Sequence, residues 1–352
     1  MPSDRTNVVV AMSGGVDSSV AAALLLEAGY DVAGMTMRLP AQGNASALPH
    51  AIEDARGVAA RLGIPHHVID VTEPFKKHVL DYFISEYQCG RTPNPCIRCN
   101  QRVKFGSLLQ EVKRLGARYL ATGHYVRLAR HENRYAVCRA EYRQKDQSYV
   151  LAGLDQHQLG QVIFPLGEQT KQQTRAKARS LGLDVAENSE SQDICFIEDG
   201  NYHRFLAEQG ESGRPGPILT TTGEMLGTHT GLTNYTIGQR KGLGIAAIRP
   251  YYVVRLDPER NAVIVGHHEE TFSKRLTARD VVWGGLPPQT EPFECDIQIR
   301  YRHAPVPCMV QPDENRFSAV FRAPQRAVTP GQWAVLYRGD MVLAAGTIDA
   351  SE

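Results

Sequence analysis

Two thiols three residues apart stand in Thr92-Pro-Asn-Pro-Cys-Ile-Arg-Cys-Asn-Gln-Arg-Val-Lys-Phe105, a proline-stiffened loop that runs into a helix. Helix starts and neighbouring cations lower a thiol pKa, and Arg91, Arg98, Arg102 and Lys104 supply the cations, so Cys96 and Cys99 are candidates for a reactive thiolate. From Arg91 to Arg118 the chain carries seven basic residues against one acidic residue, Glu111. The plainer readings are half of a zinc knuckle, lacking a second Cys/His pair at suitable spacing, or a solvated basic helix face. Cys195, in Ser191-Gln-Asp-Ile-Cys-Phe-Ile197, is a further candidate, although a cysteine in an apolar strand is by itself more often a small buried hydrophobe.

A second chemistry is written in Ala11-Met-Ser-Gly-Gly-Val-Asp-Ser18, which follows an apolar run and opens a helix. Backbone N–H groups and the helix dipole converge there on the place an anion would occupy. Gly14 and Gly15 allow a tight turn and close approach, Ser13 and Ser18 add hydroxyls, and Asp17 offers a carboxylate for a magnesium ion on the phosphates. No Gly-Lys-Ser/Thr is present, so this is not a Walker loop. The plain alternative is a capped strand-to-helix turn. The hexapeptide resembles the pyrophosphatase loop of ATP-splitting enzymes that adenylate a substrate, including GMP, NAD, argininosuccinate and asparagine synthetases and tRNA thiolation enzymes.

The elements that must position these groups are strands at Val8–Met12, Asp31–Leu39, His67–Val71 and Arg118–Thr122, alternating with helices at Ser18–Ala28, Ala47–Leu62, Phe75–Tyr87 and Val103–Leu115. That alternation predicts an α/β domain with a parallel sheet. Gln209 to Pro217 reads as a linker, and beyond it helical periodicity disappears. There Tyr251–Leu256 and Ala262–Val265 predict a hairpin, and Glu294–Tyr301, Phe317–Phe321 and Trp333–Leu336 further strands. The expected organisation is an α/β nucleotide-binding domain over residues 1–208, a small β-rich connector over 209–273 and a barrel-like domain over 274–352.

Composition narrows the classes. The chain has 352 residues, 42% hydrophobic and 22% charged, which excludes disorder, collagen and coiled coil. Lys and Arg number 39 against 38 Asp and Glu, so any nucleic-acid affinity must come from local patches. No apolar run is long enough to span a bilayer and no signal-peptide core follows the first residues, so no membrane association and a cytoplasmic location are expected. Seven cysteines, an odd number without a secretory signal, argue for thiol or metal chemistry rather than a disulfide framework.

Taken in order, the phosphate loop, Pro93-Asn-Pro-Cys-x-x-Cys-Asn100, Ala121-Thr-Gly-His-Tyr125, Lys145-Asp-Gln-Ser148, Ser191-Gln-Asp-x-Cys195 and Gly231-Leu-Thr-x-Tyr-x-x-Gly-Gln-Arg-Lys-Gly-Leu-Gly244 resemble the tRNA-specific 2-thiouridylases. The resemblance runs from Val8 to Gln332. It implies ATP binding by Ala11, Met12, Ser13, Gly14, Gly15, Val16, Asp17 and Ser18, helped by Met37 and Gly123. It implies replacement of the oxygen at carbon-2 of the anticodon wobble uridine by sulfur, with a persulfide on Cys195 and release of the sulfur by Cys99. It assigns the target base to Asn94, Pro95 and Cys96, and tRNA contacts to His124, Lys145, Asp146, Gln147, Arg300, Tyr301 and Gln332. A partner that delivers persulfide sulfur, a cysteine desulfurase or a relay protein, follows from the same resemblance.

Many members of that family have an aspartate where this chain has Cys96. Three thiols, Cys96, Cys99 and Cys195, can instead hold a four-iron cluster with one iron open to an exogenous sulfide. Persulfide relay and iron–sulfur cluster share these residues, and the sequence leaves both open. The competing functions are an ATP-dependent small-molecule synthetase with the same loop, which needs neither Cys99 nor Cys195, and a metal-binding RNA module without ATP hydrolysis. Cys89, Cys138, Cys295 and Cys308 lie in no matched motif and are expected to be structural.

Overall fold

The computed structural model describes residues 6–40, 47–131, 133–183, 194–197, 200–210 and 213–352. Ser191, Gln192 and Asp193 of the Cys195 motif, and residues 211 and 212 of the expected linker, lie outside them.

Strand β1 (Asn7–Ala11) is a run of valines buried on both faces, as a strand inside a parallel sheet must be. Val8 and Val10 pack with Val20, Ala21 and Leu25 of helix α1 (Val16–Glu27) and Val58 of helix α2 (Ala47–Leu62). Val9 points to the other face, toward Phe105, Leu108 and Val112. β2 (Asp31–Arg38), β3 (His66–Asp70) and β4 (Tyr119–Thr122) follow, then a hairpin of β5 (Val126–His131) and β6 (Arg134–Arg139), then the short β7 (Val162–Ile163). The first sheet has the order β3-β2-β1-β4-β7 and is parallel throughout. Strand order reverses between β1 and β4, so their carboxyl ends form the crevice where α/β folds bind ligands.

The helical stretches begin earlier than the apolar spacing predicts. The chain is helical from 72 to 88 with a π-helical turn, Lys76–Leu80, in the middle. It is helical again from Pro95–Arg98 through a π-helical run, Cys99–Ser107, to Leu108–Arg114. The start at Pro95 has local causes: the Asn94 side chain accepts the Ile97 N–H at 3.2 Å, and proline suits the first helical position.

Beyond residue 213 the described chain is β-rich with only short 3-10 turns. Strands β8 (Gly216–Thr220), β9 (Met225–His229), β10 (Tyr252–Asp257) and β11 (Ala262–Gly266) form a sheet of order β10-β11-β8-β9 around Ile218, Val253, Val263 and Val265. The predicted hairpin is β10–β11, antiparallel from Tyr252 to Gly266. Strands β12 (Phe272–Trp283), β13 (Phe293–Gln298), β14 (Val306–Asp313), β15 (Arg316–Arg326), β16 (Trp333–Arg338) and β17 (Met341–Ser351) pair in the order β12-β15-β14-β13-β16-β17, and β12 pairs with β17 to close a six-strand barrel.

The hairpin β5–β6, which the sequence reading did not anticipate, carries the first domain onto that barrel. Cys138 of β6 pairs with Met341 of β17. Trp333, Tyr337 and Val342 of the barrel share one apolar core with Val126, Val137 and Tyr149, and the Tyr149 hydroxyl donates to the Trp333 carbonyl at 3.0 Å. The barrel is therefore fixed beside the crevice. Among the described residues no helix is long and apolar enough to cross a membrane.

Candidate active site

The phosphate loop lies at the β1 end of the crevice. Gly14 has φ of 75°, and a Cβ there would sit 2.6 Å from the Ala51 carbonyl oxygen, so only glycine makes this turn. Gly15 is the extended residue at the start of α1 and provides no side-chain cap. The Ser18 and Ser19 hydroxyls donate back to the Gly15 carbonyl at 3.1 and 2.9 Å, while the Ser13 N–H donates to Ser18 Oγ at 3.2 Å. These bonds hold the loop against the helix start and leave first-turn N–H groups for an anion. From β4, Gly123 packs so closely that a Cβ would come within 2.7 Å of the Asp17 carbon and the Ser18 nitrogen. Met37 is half-buried near the end of β2 and touches both the sheet core and the cluster that contains Cys99.

Asp17 is held by partners from the protein itself. Its two carboxylate oxygens take the Lys171 ammonium at 2.7 and 2.8 Å, and the Tyr125 hydroxyl donates to it at 2.8 Å. It ties the helix Lys171–Ser180 to the loop. Neither partner was legible in the sequence, since Lys171 is 154 residues away.

The thiols occupy the other side of the crevice. Cys99 is buried among Val79, Phe83 and Val103, and the turn that carries Cys195 anchors Ile194, Phe196 and Ile197 in the same cluster. Cys96 and Cys195 open to solvent yet are walled in by protein. That burial pushes all three thiols up, Cys99 to about 12. The expectation of thiols lowered by four cations is thus corrected: burial outweighs the positive charge, and only one of the four cations acts on them. Arg91 is paired with Asp349 at 3.1 Å, and Arg98 lies over the Tyr82 ring at 4.5 Å and donates to Gln101. Lys104 opposes the rise at Cys96, Cys99 and Cys195, joined at Cys195 by a backbone hydrogen bond.

The three thiols act on one another electrostatically, but among the described residues no three Cys, His, Asp or Glu side chains are grouped to hold a metal ion.

Around the thiols stand the other residues singled out by sequence. His124 shares a hydrogen bond with Thr122 Oγ1 at 2.7 Å, and burial, reinforced by Lys104, holds its pKa well below the usual value, so the ring is neutral. From the barrel, Tyr301 lies 42% exposed, 6.1 Å from the Tyr149 ring, and it senses the charge of Cys96. Arg300 donates to the Arg326 carbonyl at 3.1 Å. The Gln332 side chain donates to the Thr92 and Pro93 carbonyls at 2.8 and 3.3 Å, so the barrel grips the loop leading to Asn94, Pro95 and Cys96.

Asp146 is placed differently from the rest. Its carboxylate takes Arg139 at 3.2 Å, the Ala140 N–H at 2.9 Å and the Ser148 hydroxyl at 2.7 Å. It is satisfied internally, as is the Gln147 side-chain oxygen, which accepts the Tyr125 N–H at 2.9 Å. These two shape the 145–148 turn.

A parallel sheet with an anion-cradling loop at its switch point, a set of thiols across the crevice and a barrel fixed beside it defines a nucleotide-binding catalytic domain with β-rich appendages. Residues 6–199 match the family model described as the tRNA methyl transferase HUP domain, 203–267 the tRNA methyl transferase PRC-barrel domain and 273–348 the aminomethyltransferase beta-barrel domain. The tRNA-specific 2-thiouridylase MnmA of Pelotomaculum thermopropionicum is 47% identical over 99% of this chain and 98% of its own length. That of Geobacter metallireducens is 48% identical, over 99% of this chain and 98% of its own. A U34-tRNA thiolase, NcsA from Methanococcus maripaludis, resembles it at 18% identity over 58% of this chain and 66% of that one, with a TM-score of 0.35. The chain belongs to the tRNA-specific 2-thiouridylase (MnmA) family.

Proposed function

We propose that this enzyme catalyses ATP-dependent 2-thiolation of uridine in tRNA, at the wobble position of the anticodon, through a cysteine persulfide. The observation that supports the mechanism is that Cys96 and Cys195 act electrostatically on Cys99, and Cys96 on Tyr301, beside the sheet that carries the phosphate loop. Loop N–H groups hold the pyrophosphate of ATP, and Ser13 and Ser18 add donors. Magnesium travels with the nucleotide's phosphates, since Asp17 is already neutralised by Lys171. A wobble base must leave its stack, which costs about a few kcal/mol, and the exposed Tyr301 ring offers a replacement stacking surface.

The oxygen on carbon-2 attacks the α-phosphate of ATP and expels pyrophosphate, which turns that oxygen into part of an AMP leaving group. The outer sulfur of a Cys195 persulfide then bonds to carbon-2 and AMP departs. Cys99 attacks the inner Cys195 sulfur, the sulfur–sulfur bond breaks, the new sulfur keeps its electron pair on the base, and a Cys99–Cys195 disulfide remains. An external dithiol reduces that disulfide, and a cysteine desulfurase or relay protein restores the persulfide. A cytoplasmic location follows from this substrate.

The test is an anaerobic assay of iron-free protein with unmodified tRNA, ATP-magnesium and a persulfide donor, read by nucleoside mass spectrometry. Thiolation by the wild type and by Cys96→Ser, with none by Cys99→Ser or Cys195→Ser, supports the relay. Thiolation that appears only after reconstitution with iron and sulfide, and needs all three cysteines, overturns it.

A further inference from the structure

Gln298 ends β13, just before the turn that carries Arg300 and Tyr301, and it is buried. Its side-chain nitrogen donates to the Arg300 and Tyr301 carbonyls at 3.2 and 2.7 Å, while its oxygen accepts from Arg139 at 3.0 Å. That orientation is forced. A guanidinium has donors only, so it can face the oxygen of the amide and not its nitrogen, and both amide hydrogens are left for the two carbonyls.

Arg139, the last residue of β6, is itself fixed from several sides. Its other terminal nitrogen pairs with the largely buried Asp146 carboxylate at 3.2 Å, and its guanidinium lies 3.9 Å over the Tyr337 ring. Asp146 takes the Ser148 hydroxyl at 2.7 Å, which in turn meets the Tyr337 hydroxyl at 3.1 Å. The next residue, Tyr149, sets its ring 6.1 Å from that of Tyr301. One chain of hydrogen bonds thus runs from the 145–148 turn, through Arg139 and Gln298, to the backbone of Tyr301. A buried ion pair adds little net stability, whereas a satisfied polar network fixes one arrangement of the groups it joins.

We propose that Gln298 and Arg139 are positioning residues for the RNA substrate: they fix the Tyr301 backbone so that its exposed ring stands where a displaced base can stack. This rests on the reading of the Tyr301 ring as that stacking surface. The full-length protein is tested as Gln298→Glu, which can still accept from Arg139 but sets a carboxylate oxygen against the two carbonyls. Gln298→Met is read in its place if the added charge makes that variant melt early. Tyr301→Ala and the double variant complete a mutant cycle, with Kd for unmodified tRNA, Kd for ATP and thermal melting as readouts.

The value of base–aromatic stacking sets the expected weakening of tRNA binding at about tenfold, in the Gln298 variant and in Tyr301→Ala alike, with ATP binding within about twofold of wild type. The double variant should bind tRNA no more weakly than Tyr301→Ala, because the ring through which Gln298 acts is gone. Penalties that multiply in the double variant overturn the proposal, since a general structural defect would weaken tRNA binding with or without the ring. An unchanged tRNA affinity in the folded Gln298 variant overturns it as well. Failure of the underlying reading shows separately, as Tyr301→Ala that binds tRNA like the wild type.

Discussion

Two groups of cysteines in this molecule invite opposite expectations. In the barrel, Cys295 and Cys308 stand directly opposite each other on β13 and β14 with their sulfurs 3.8 Å apart. In the crevice, Cys96, Cys99 and Cys195 make no sulfur–sulfur hydrogen bond or disulfide among the described residues. Nearness alone would name the barrel pair as the reactive one. Yet Cys295 is pushed far above the usual thiol range, first by its hydrogen bond with Cys308 and then by burial, and Asp296 adds to the rise. The crevice thiols are raised as well, but two of them open to solvent and all three sense the positive charge of Lys104. On the proposed mechanism, sulfur reactivity follows access and neighbouring charge rather than proximity.

The largest expected effect separates the two groups by mutation. Cys99→Ser and Cys195→Ser are each expected to lower thiolation by about a thousandfold or more, because serine cannot carry or release persulfide sulfur. Replacement of both Cys295 and Cys308 by Ala should leave the rate within about twofold and lower stability by about 1 kcal/mol, the small cost of trimming a buried sulfur. Nucleoside mass spectrometry and thermal melting read the two outcomes. A barrel variant that abolished thiolation while folding normally would break the comparison.

Next in size is a substitution that leaves every thiol in place. Gly123→Ala would drive a Cβ into the Asp17 and Ser18 backbone at 2.7 Å, where neither neighbour is a flexible side-chain end. The expected result is a loss of ATP affinity of about ten- to a hundredfold, since a shift of the helix start misaligns the N–H cradle. Nucleotide titration measures it. Alkylation of Cys295 should not change, which confines the damage to the crevice.

How much of this arrangement was legible in the sequence differs by the range of the interaction. The strands of the first sheet announce themselves as continuous apolar runs, and Ser13-Gly-Gly-Val-Asp-Ser18 is a local device whose function depends on backbone conformation. Long-range pairings leave no such trace. Asp17 finds Lys171, and Thr92 is gripped by Gln332, 240 residues away, only through the fold. Arg91, Arg98, Arg102 and Lys104 look equivalent as a charge run, and the π-helix and the barrel sort them: Arg91 goes to Asp349, Arg98 to Tyr82, Lys104 to the thiols. The β5–β6 hairpin escaped notice because its partner strand lies at the far end of the chain.

pH offers a way to sharpen the comparison within one chain. With Cys99 pushed up to about 12, its thiolate fraction rises about tenfold per unit from about pH 7 to about pH 9, and its alkylation should rise with it. An ordinary thiol, with a pKa near 9, would level off in that interval. Linkage has a definite sign. The unfolded chain ionises this thiol first, so its contribution to stability is complete below about pH 9 and is lost as pH rises toward about 12. The wild type should therefore lose melting temperature between about pH 8.5 and about pH 10.5 more steeply than Cys99→Ser. His124, held neutral by burial, should add no titration of its own near about pH 6.

The smallest effect is expected where the sulfurs are closest. Cys295 and Cys308 occupy one register position of neighbouring antiparallel strands, and a modest rotation of either side chain would bring their sulfurs to bonding distance. A thiol-specific oxidant such as diamide is therefore expected to join them, with the loss of the two thiol hydrogens in the mass of the linked peptides. The reaction should be slow, because the Cys295 thiol is pushed up by its hydrogen bond with Cys308 and by burial, and Cys308 is buried. Activity should persist after the crevice thiols are returned to the reduced state, since the link adds no constraint that the paired strands do not already impose. Lasting loss of thiolation from a protein oxidised only at this pair would mean that the barrel must breathe for tRNA to reach Tyr301, and that the two regions are not independent.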